Sequence, residues 1–161
     1  MSGEADILRR LKAMATDPAG RGLLDDVAVL ATRGHQLVLT SDTMVEGVHF
    51  RPDDPPDTVG WKLAAVNLSD LASKGAIPAS CLLNYTLTGD HGWDNGFLDG
   101  LDRCLKRFGM HLIGGDTVGL PAGSPRVIGV TAIGEVPGGQ AGPSREGARE
   151  GHKMNVTGPV G

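Results

Sequence analysis

The chain carries only two cysteines, Cys81 and Cys104, and neither stands in metal-type spacing. That excludes a thiolate metal centre and a disulfide framework, and it predicts two reduced, buried thiols. Its five histidines are scattered, which argues against a zinc site. Positive charge is not in surplus: 15 Lys and Arg face 19 Asp and Glu, for a net charge of −4, so there is no basic stripe for nucleic acid. Long apolar runs are missing too. The first residues, "MSGEADILRRLKAM", lack a signal-type apolar core, and no segment approaches the length of a membrane span, so the expectation is a cytoplasmic protein. Neither a GxxxxGK[ST] loop nor a GxGxxG fingerprint occurs, so any bound nucleotide is held by another scheme. No internal repeat of solenoid length is present.

What is present suits one domain with a real core: 161 residues, 40% of them hydrophobic. The 25 glycines and 10 prolines mostly punctuate apolar runs, which marks turns and close backbone approaches rather than low complexity.

Periodicity predicts a short amphipathic helix over residues 4–14, striped by Ile7, Leu8 and Leu11. "DVAVLAT" and "QLVLTSD" read as strands joined by a turn at Arg33-Gly34-His35. A proline-rich loop opens a helix over 59–74, "ASCLLNYTLT" is a third strand, and 93–108 forms a second helix with Phe97, Leu98, Leu101, Leu105 and Phe108 inward. "MHLIGGDT" reads as a short buried strand and "RVIGVTAIGEV" as a long one; "NVTGPVG" looks like the start of another. Strands and helices alternate without a regular βαβ period, which predicts an α+β fold with a mixed or mostly antiparallel sheet flanked by helices. The expected division is a helix and loop over 1–21, a main domain over 22–137 and a polar, flexible segment over 138–161.

Three apolar runs end in a small residue and then an aspartate: "LVLTSD" at Asp42, "AVNLSD" at Asp70 and "LIGGD" at Asp116. A fourth acidic pair, Asp25-Asp26, precedes a strand. A carboxylate at a strand tip stands on a rigid support. Several such tips brought together repel one another by several kcal/mol unless a cation lies between them. Oxygen-only ligands suit a hard cation such as Mg²⁺, which commonly bridges carboxylates to phosphates. The competing reading of each aspartate is a turn or helix cap. For Asp70 it is a solvated helix face, since Lys62, Asn67, Ser69, Asp70, Ser73 and Lys74 fall on the arc opposite Ala64, Ala65, Leu68, Leu71 and Ala72. In "IGGDT" two glycines let backbone N–H groups approach an anion.

The strings "TSDTMVEGVHF", "KLAAVNLSDLASKGA" and "LIGGDTV" resemble the N-terminal half of the thiamine-monophosphate kinase family. That family lies in the superfamily of aminoimidazole ribonucleotide synthetase, selenophosphate synthetase and a hydrogenase maturation protein. The resemblance runs from about Gly22 to Val136. It implies the N-terminal domain of that fold, whose sheet is completed into a barrel by a second copy, and a C-terminal domain of similar size following it. It implies ATP-dependent phosphorylation of thiamine monophosphate to thiamine diphosphate, with several Mg²⁺ ions and ATP as co-substrate. Residue by residue, it implies Asp26, Thr40, Ser41, Asp42, Asp70 and Asp116 around metal. Gly115, Asp116 and Arg145 belong at ATP, and His49 at the acceptor phosphate. Leu24 stands where the family commonly has glycine, and Glu150 and His152 depart from its C-terminal pattern.

The acceptor is a phosphate oxygen, already ionised, so the reaction needs no general base; none of these residues is read as an acid or base. Lys62 and Lys74 are expected at the solvated surface. The alternatives are another ATP-dependent enzyme of the superfamily, or a non-catalytic Mg-nucleotide-binding dimerisation module. Selenophosphate synthetase is disfavoured because no cysteine lies near the N-terminus.

Overall fold

A computed structural model describes residues 18–24, 27–32, 35–139, 142–156 and 158. The expected helix over 4–14, the turn residues Arg33 and Gly34, and Asp25-Asp26 lie outside the described residues. After a 3-10 turn at Pro18–Leu23 come β1 (Ala28–Thr32), β2 (His35–Val45), α1 (Pro56–Ser73), β3 (Ile77–Leu87), α2 (His91–Phe108), β4 (His111–Gly119) and β5 (Val127–Val136). The strands form one sheet in the order β1-β2-β5-β3-β4. All neighbours run antiparallel except β3 and β4, so the sheet is mixed and the fold α+β.

Local chemistry accounts for the helix ends. Pro56 starts α1 where a missing N–H costs nothing. Asp90 caps α2 by accepting from the Trp93 N–H at 3.1 Å, and Gly109 closes it in the left-handed conformation. The two helices cross at backbone distance. A Cβ on Gly60 would lie 2.0 Å from the Phe97 carbonyl oxygen, and one on Gly100 would lie 1.8 Å from that of Asp57. Only glycine fits either position.

Both helices cover one face of the sheet. Leu63, Leu71 and Val59 from α1, and Phe97, Leu101 and Cys104 from α2, meet Val38, Cys81, Ile128, Val130 and Ala132 in one core. Phe50, Trp93, Phe97 and Tyr85 form an aromatic chain with successive ring centroids 6.0, 5.4 and 5.2 Å apart. Cys81 and Cys104 are free and buried, as the sequence predicts. Among the described residues no helix is long and apolar enough to cross a membrane.

Several expectations are corrected. On α2, Leu98 and Phe108 are exposed, and Gly100 and Cys104 take their inward places. On α1, Ala72 is exposed while Asn67 (0% exposed) and Lys74 (6%) are buried. The arc facing the sheet is rotated, because α1 must contact both the sheet and α2. The strand around "LIGGD" is not buried: all nine residues of β4 are exposed, since among the described residues β4 is an edge strand paired only with β3. Asn155 and Val156 carry no strand.

Candidate functional site

The centre of the site is the contact between β2 and α1. Alternation along β2 turns Thr40, Asp42 and Met44 towards the helices, while Ser41 and Thr43 are exposed on the other face. The Thr40 hydroxyl, buried in the sheet, donates to Asp70 Oδ2 at 2.8 Å. Asp70 is therefore half-buried against the sheet and does not sit on a solvated face. Burial raises the Asp42 carboxyl above its ordinary range, and the Asp70 charge raises it further. The two carboxylates thus share one electrostatic neighbourhood.

Asn67 is buried and not on the polar arc expected of it. Its Oδ1 accepts the Asp42 backbone N–H at 3.3 Å and its Nδ2 donates to the Leu63 carbonyl at 2.9 Å. Among the described residues the β1 register with β2 ends at Leu39, and the Asn67 amide takes up a β2 N–H beyond that register. The available signal was an asparagine one turn before Asp70 in a helix otherwise rich in alanine and leucine.

Lys74 was expected in solvent, yet it is buried, and its Nζ donates to the Pro143 carbonyl at 3.0 Å. This ties the segment after β5 to the end of α1. Arg21 ties the N-terminal side to the same place by donating to the Gly142 carbonyl at 3.1 Å. The result is a cavity of about 250 Å³ lined by Ser69, Asp70, Ser73, Lys74, Ser144 and Arg145. Arg145 and Asp70 thus come from distant segments to one cavity.

His49 stands at the end of a tight turn after β2. Its Nδ1 accepts the Val45 N–H at 3.0 Å, and its carbonyl accepts from Lys62 Nζ. Ser41 bonds the Thr131 hydroxyl at 2.9 Å on the exposed face, so its side chain turns away from Asp42.

Gly115 and Asp116 are placed elsewhere. Gly114 (φ 156°) and Gly115 (φ 145°) occupy glycine-favoured backbone, and a Cβ on Gly115 would strike the Leu83 carbonyl oxygen at 1.8 Å. Asp42, Val130, Leu83 and Gly115 lie in one row across four strands. Three strand spacings separate its ends by about 14 Å. Asp116 pairs in register with the exposed Asn84, on the face away from the helices. Within one chain Asp116 does not stand with Asp42 and Asp70. Among the described residues no three His, Cys, Asp or Glu side chains are grouped to hold a metal ion.

The donors that do meet, two carboxylates and a threonine hydroxyl, are all oxygen. Repulsion from Asp70 adds to the burial that raises Asp42, and a divalent cation would relieve that repulsion. The set fits a hard cation such as Mg²⁺ and not a soft one.

Comparison with known proteins bears on this geometry. The family of AIR synthase related proteins, N-terminal domain, matches residues 24–136. Thiamine-monophosphate kinase of Synechococcus elongatus is 45% identical over 139 residues, covering 83% of this chain and 40% of that protein. The protein of the same name from Caulobacter vibrioides is 39% identical over 169 residues, covering 98% and 46%. The chain spans less than half the length of either relative. The solved structure of AaThiL complexed with AMPPCP and TMP aligns at TM-score 0.73 and 28% identity, covering 83% of this chain and 42% of that one.

Proposed function

The chain belongs to the family of AIR synthase related proteins through its N-terminal domain, and from that premise we propose that it is the nucleotide- and acceptor-binding half of a thiamine-monophosphate kinase. The reaction is transfer of the ATP γ-phosphoryl group to thiamine monophosphate. The observation that carries this reading is the Asp42–Asp70 pair, oriented by Asn67 and Thr40 and opening beside a cavity with Lys74 and Arg145. Relatives named for this reaction, and a structural neighbour complexed with AMPPCP and TMP, support it.

Mg²⁺, when bound, would neutralise polyphosphate charge so that two anions can approach. Asp42 and Asp70 would hold it, with Asp26 assigned beside them from the sequence. Thr40 fixes the Asp70 carboxylate through its hydroxyl, and Asn67 fixes the Asp42 backbone. Arg145, which lines the cavity beside Asp70, is assigned to the ATP phosphates. His49 holds the acceptor phosphate; with Nδ1 accepting a backbone N–H, its neutral ring carries the proton on Nε2, as a donor to an anion. The acceptor oxygen is already ionised, so these residues orient and hold, and none needs to remove a proton.

Asp116 and Gly115 enter this scheme from a second copy. β4 is an edge exposed along its whole length, and β2 runs past the end of β1 beside Asp42. Pairing those two edges across a two-fold axis closes a barrel and sets the partner's β4 alongside the strand that carries Asp42. The homodimer and the division of the chain at residue 137 belong to this proposal.

Titration calorimetry with Mg²⁺ and a non-hydrolysable ATP analogue tests the site. Asp70→Asn keeps an acceptor for Thr40, so it should fold normally and lose nucleotide binding; normal binding by the variant refutes the reading. A second reading is a non-catalytic Mg-nucleotide-binding dimerisation module, which the same oxygen donors and cavity would serve. ADP release with ATP, Mg²⁺ and thiamine monophosphate separates the two, since turnover excludes the module.

A further inference from the structure

Arg126 has no part in the site described above, yet it clamps the turn that carries His49. Its backbone carbonyl accepts the Glu46 N–H at 2.9 Å, and its Nη1 donates to Glu46 Oε2 at 2.8 Å. The pair is largely shielded, with side-chain exposures of 11% and 16%. Its Nη2 reaches Asp90 Oδ2 at 3.4 Å, the residue that caps α2. The guanidinium lies 4.2 Å from the centroid of the Trp93 ring, and Trp93 in turn stacks on Phe50.

Glu46 and Phe50 are the two ends of the turn, joined by a β-bridge and by the Gly47 N–H donating to the Phe50 carbonyl at 2.8 Å. Arg126 therefore grips one end directly and the other through Trp93. Between them the His49 N–H donates to the Val45 carbonyl at 2.9 Å, while His49 Nδ1 accepts from the Val45 N–H. That second bond sets the tautomer, and it survives only while the 45–50 backbone keeps its shape.

We propose that Arg126 is a positioning residue that, through Glu46 and the Trp93–Phe50 stack, holds His49 as the Nε2–H tautomer facing an anionic phosphate acceptor. This deepens the kinase reading and rests on it only for the identity of the acceptor. Arg126 touches no reacting atom. An isolated salt bridge at the surface would not do this, but a shielded, planar, multiply bonded guanidinium over an aromatic ring is a rigid support.

The test uses the full chain and Arg126→Met, which keeps the stem over Trp93 and removes the fork. Long-range ¹H–¹⁵N spectra of the histidine rings, with His49 identified by loss of its signals in His49→Gln, read the tautomer without any ligand. The expected result is one defined Nε2–H tautomer in the parent chain and averaged tautomers in Arg126→Met. Misalignment of one charge-assisted hydrogen bond should weaken thiamine monophosphate binding about tenfold, with Mg-nucleotide affinity unchanged. An unaltered tautomer in Arg126→Met overturns the inference, whatever happens to affinity. Should Arg126→Met fail to fold, Glu46→Gln, which keeps shape and removes the ion pair, decides in the same way. If the parent chain binds no thiamine monophosphate while the tautomer still depends on Arg126, the positioning role stands and the kinase reading falls.

Discussion

Asn67→Ala isolates what holds the candidate metal ligands in place. Asn67 is fully buried, and its amide makes two bonds of unequal importance. The Leu63 carbonyl lies one helical turn back and keeps its intrahelical partner when Nδ2 is removed. The Asp42 N–H is different, because β1 has ended and alanine offers no acceptor. Leaving that half-buried donor unmet costs up to about 1–3 kcal/mol. The small void left by the amide brings the expected loss to about 2–4 kcal/mol. For a domain of this size, each 1 kcal/mol lowers the melting temperature by about 2–4 °C. Thermal and urea unfolding of the metal-free chain should thus show a fall of about 5–15 °C, while Asn84→Ala on the exposed face stays within about 0.5 kcal/mol of the parent. Mg-nucleotide affinity should fall as well, because Asp42 loses its backbone anchor. Asn67→Asp retains an acceptor but adds a third carboxylate, so it should be least stable at neutral pH and recover on acidification. If Asn67→Ala unfolds with the parent, the amide does not support β2 and the account of Asp42 is wrong.

Asp42→Asn should stabilise the metal-free chain above the acid range. A carboxyl held above its unfolded value binds its proton more tightly when folded, so ionisation lowers stability as pH rises from the unfolded towards the folded value. Melting curves across pH should show that descent in the parent and not in the variant. Gly100→Ala places a methyl against the Asp57 carbonyl and should cost about 3 kcal/mol or more, measured by urea unfolding. Burial lifts the Cys81 thiol to about 11 and raises Cys104 too, so neither should react with a thiol reagent in the native chain at pH 8, and both should after denaturation. Mixing Asp70→Asn with Asp116→Asn chains should restore Mg-nucleotide binding in hybrid dimers if the two residues serve one site from different copies. Binding absent from the mixture refutes that assignment.

Much of this protein is local and was open to reading along the chain. The positions of both helices, the strand-ending aspartates, the proline-led start of α1 and the glycine stop of α2 depend on neighbours within a few residues, where propensity and periodicity act. The mixed α+β class followed from the order of those elements. What no local pattern carries is which elements become neighbours. An apolar run such as "LIGGD" looks the same at the centre of a sheet and at its edge; the strand order alone leaves β4 exposed and separates Asp116 from Asp42. A helix that touches both a sheet and another helix buries more than one arc, so Asn67 and Lys74 went inside despite their polarity, each meeting a backbone partner there. Arg126 and Glu46 are 80 residues apart in sequence, and only the pairing of β2 with β5 brings them together. Residue types proposed the chemistry, and long-range strand register decided which of those residues could share it.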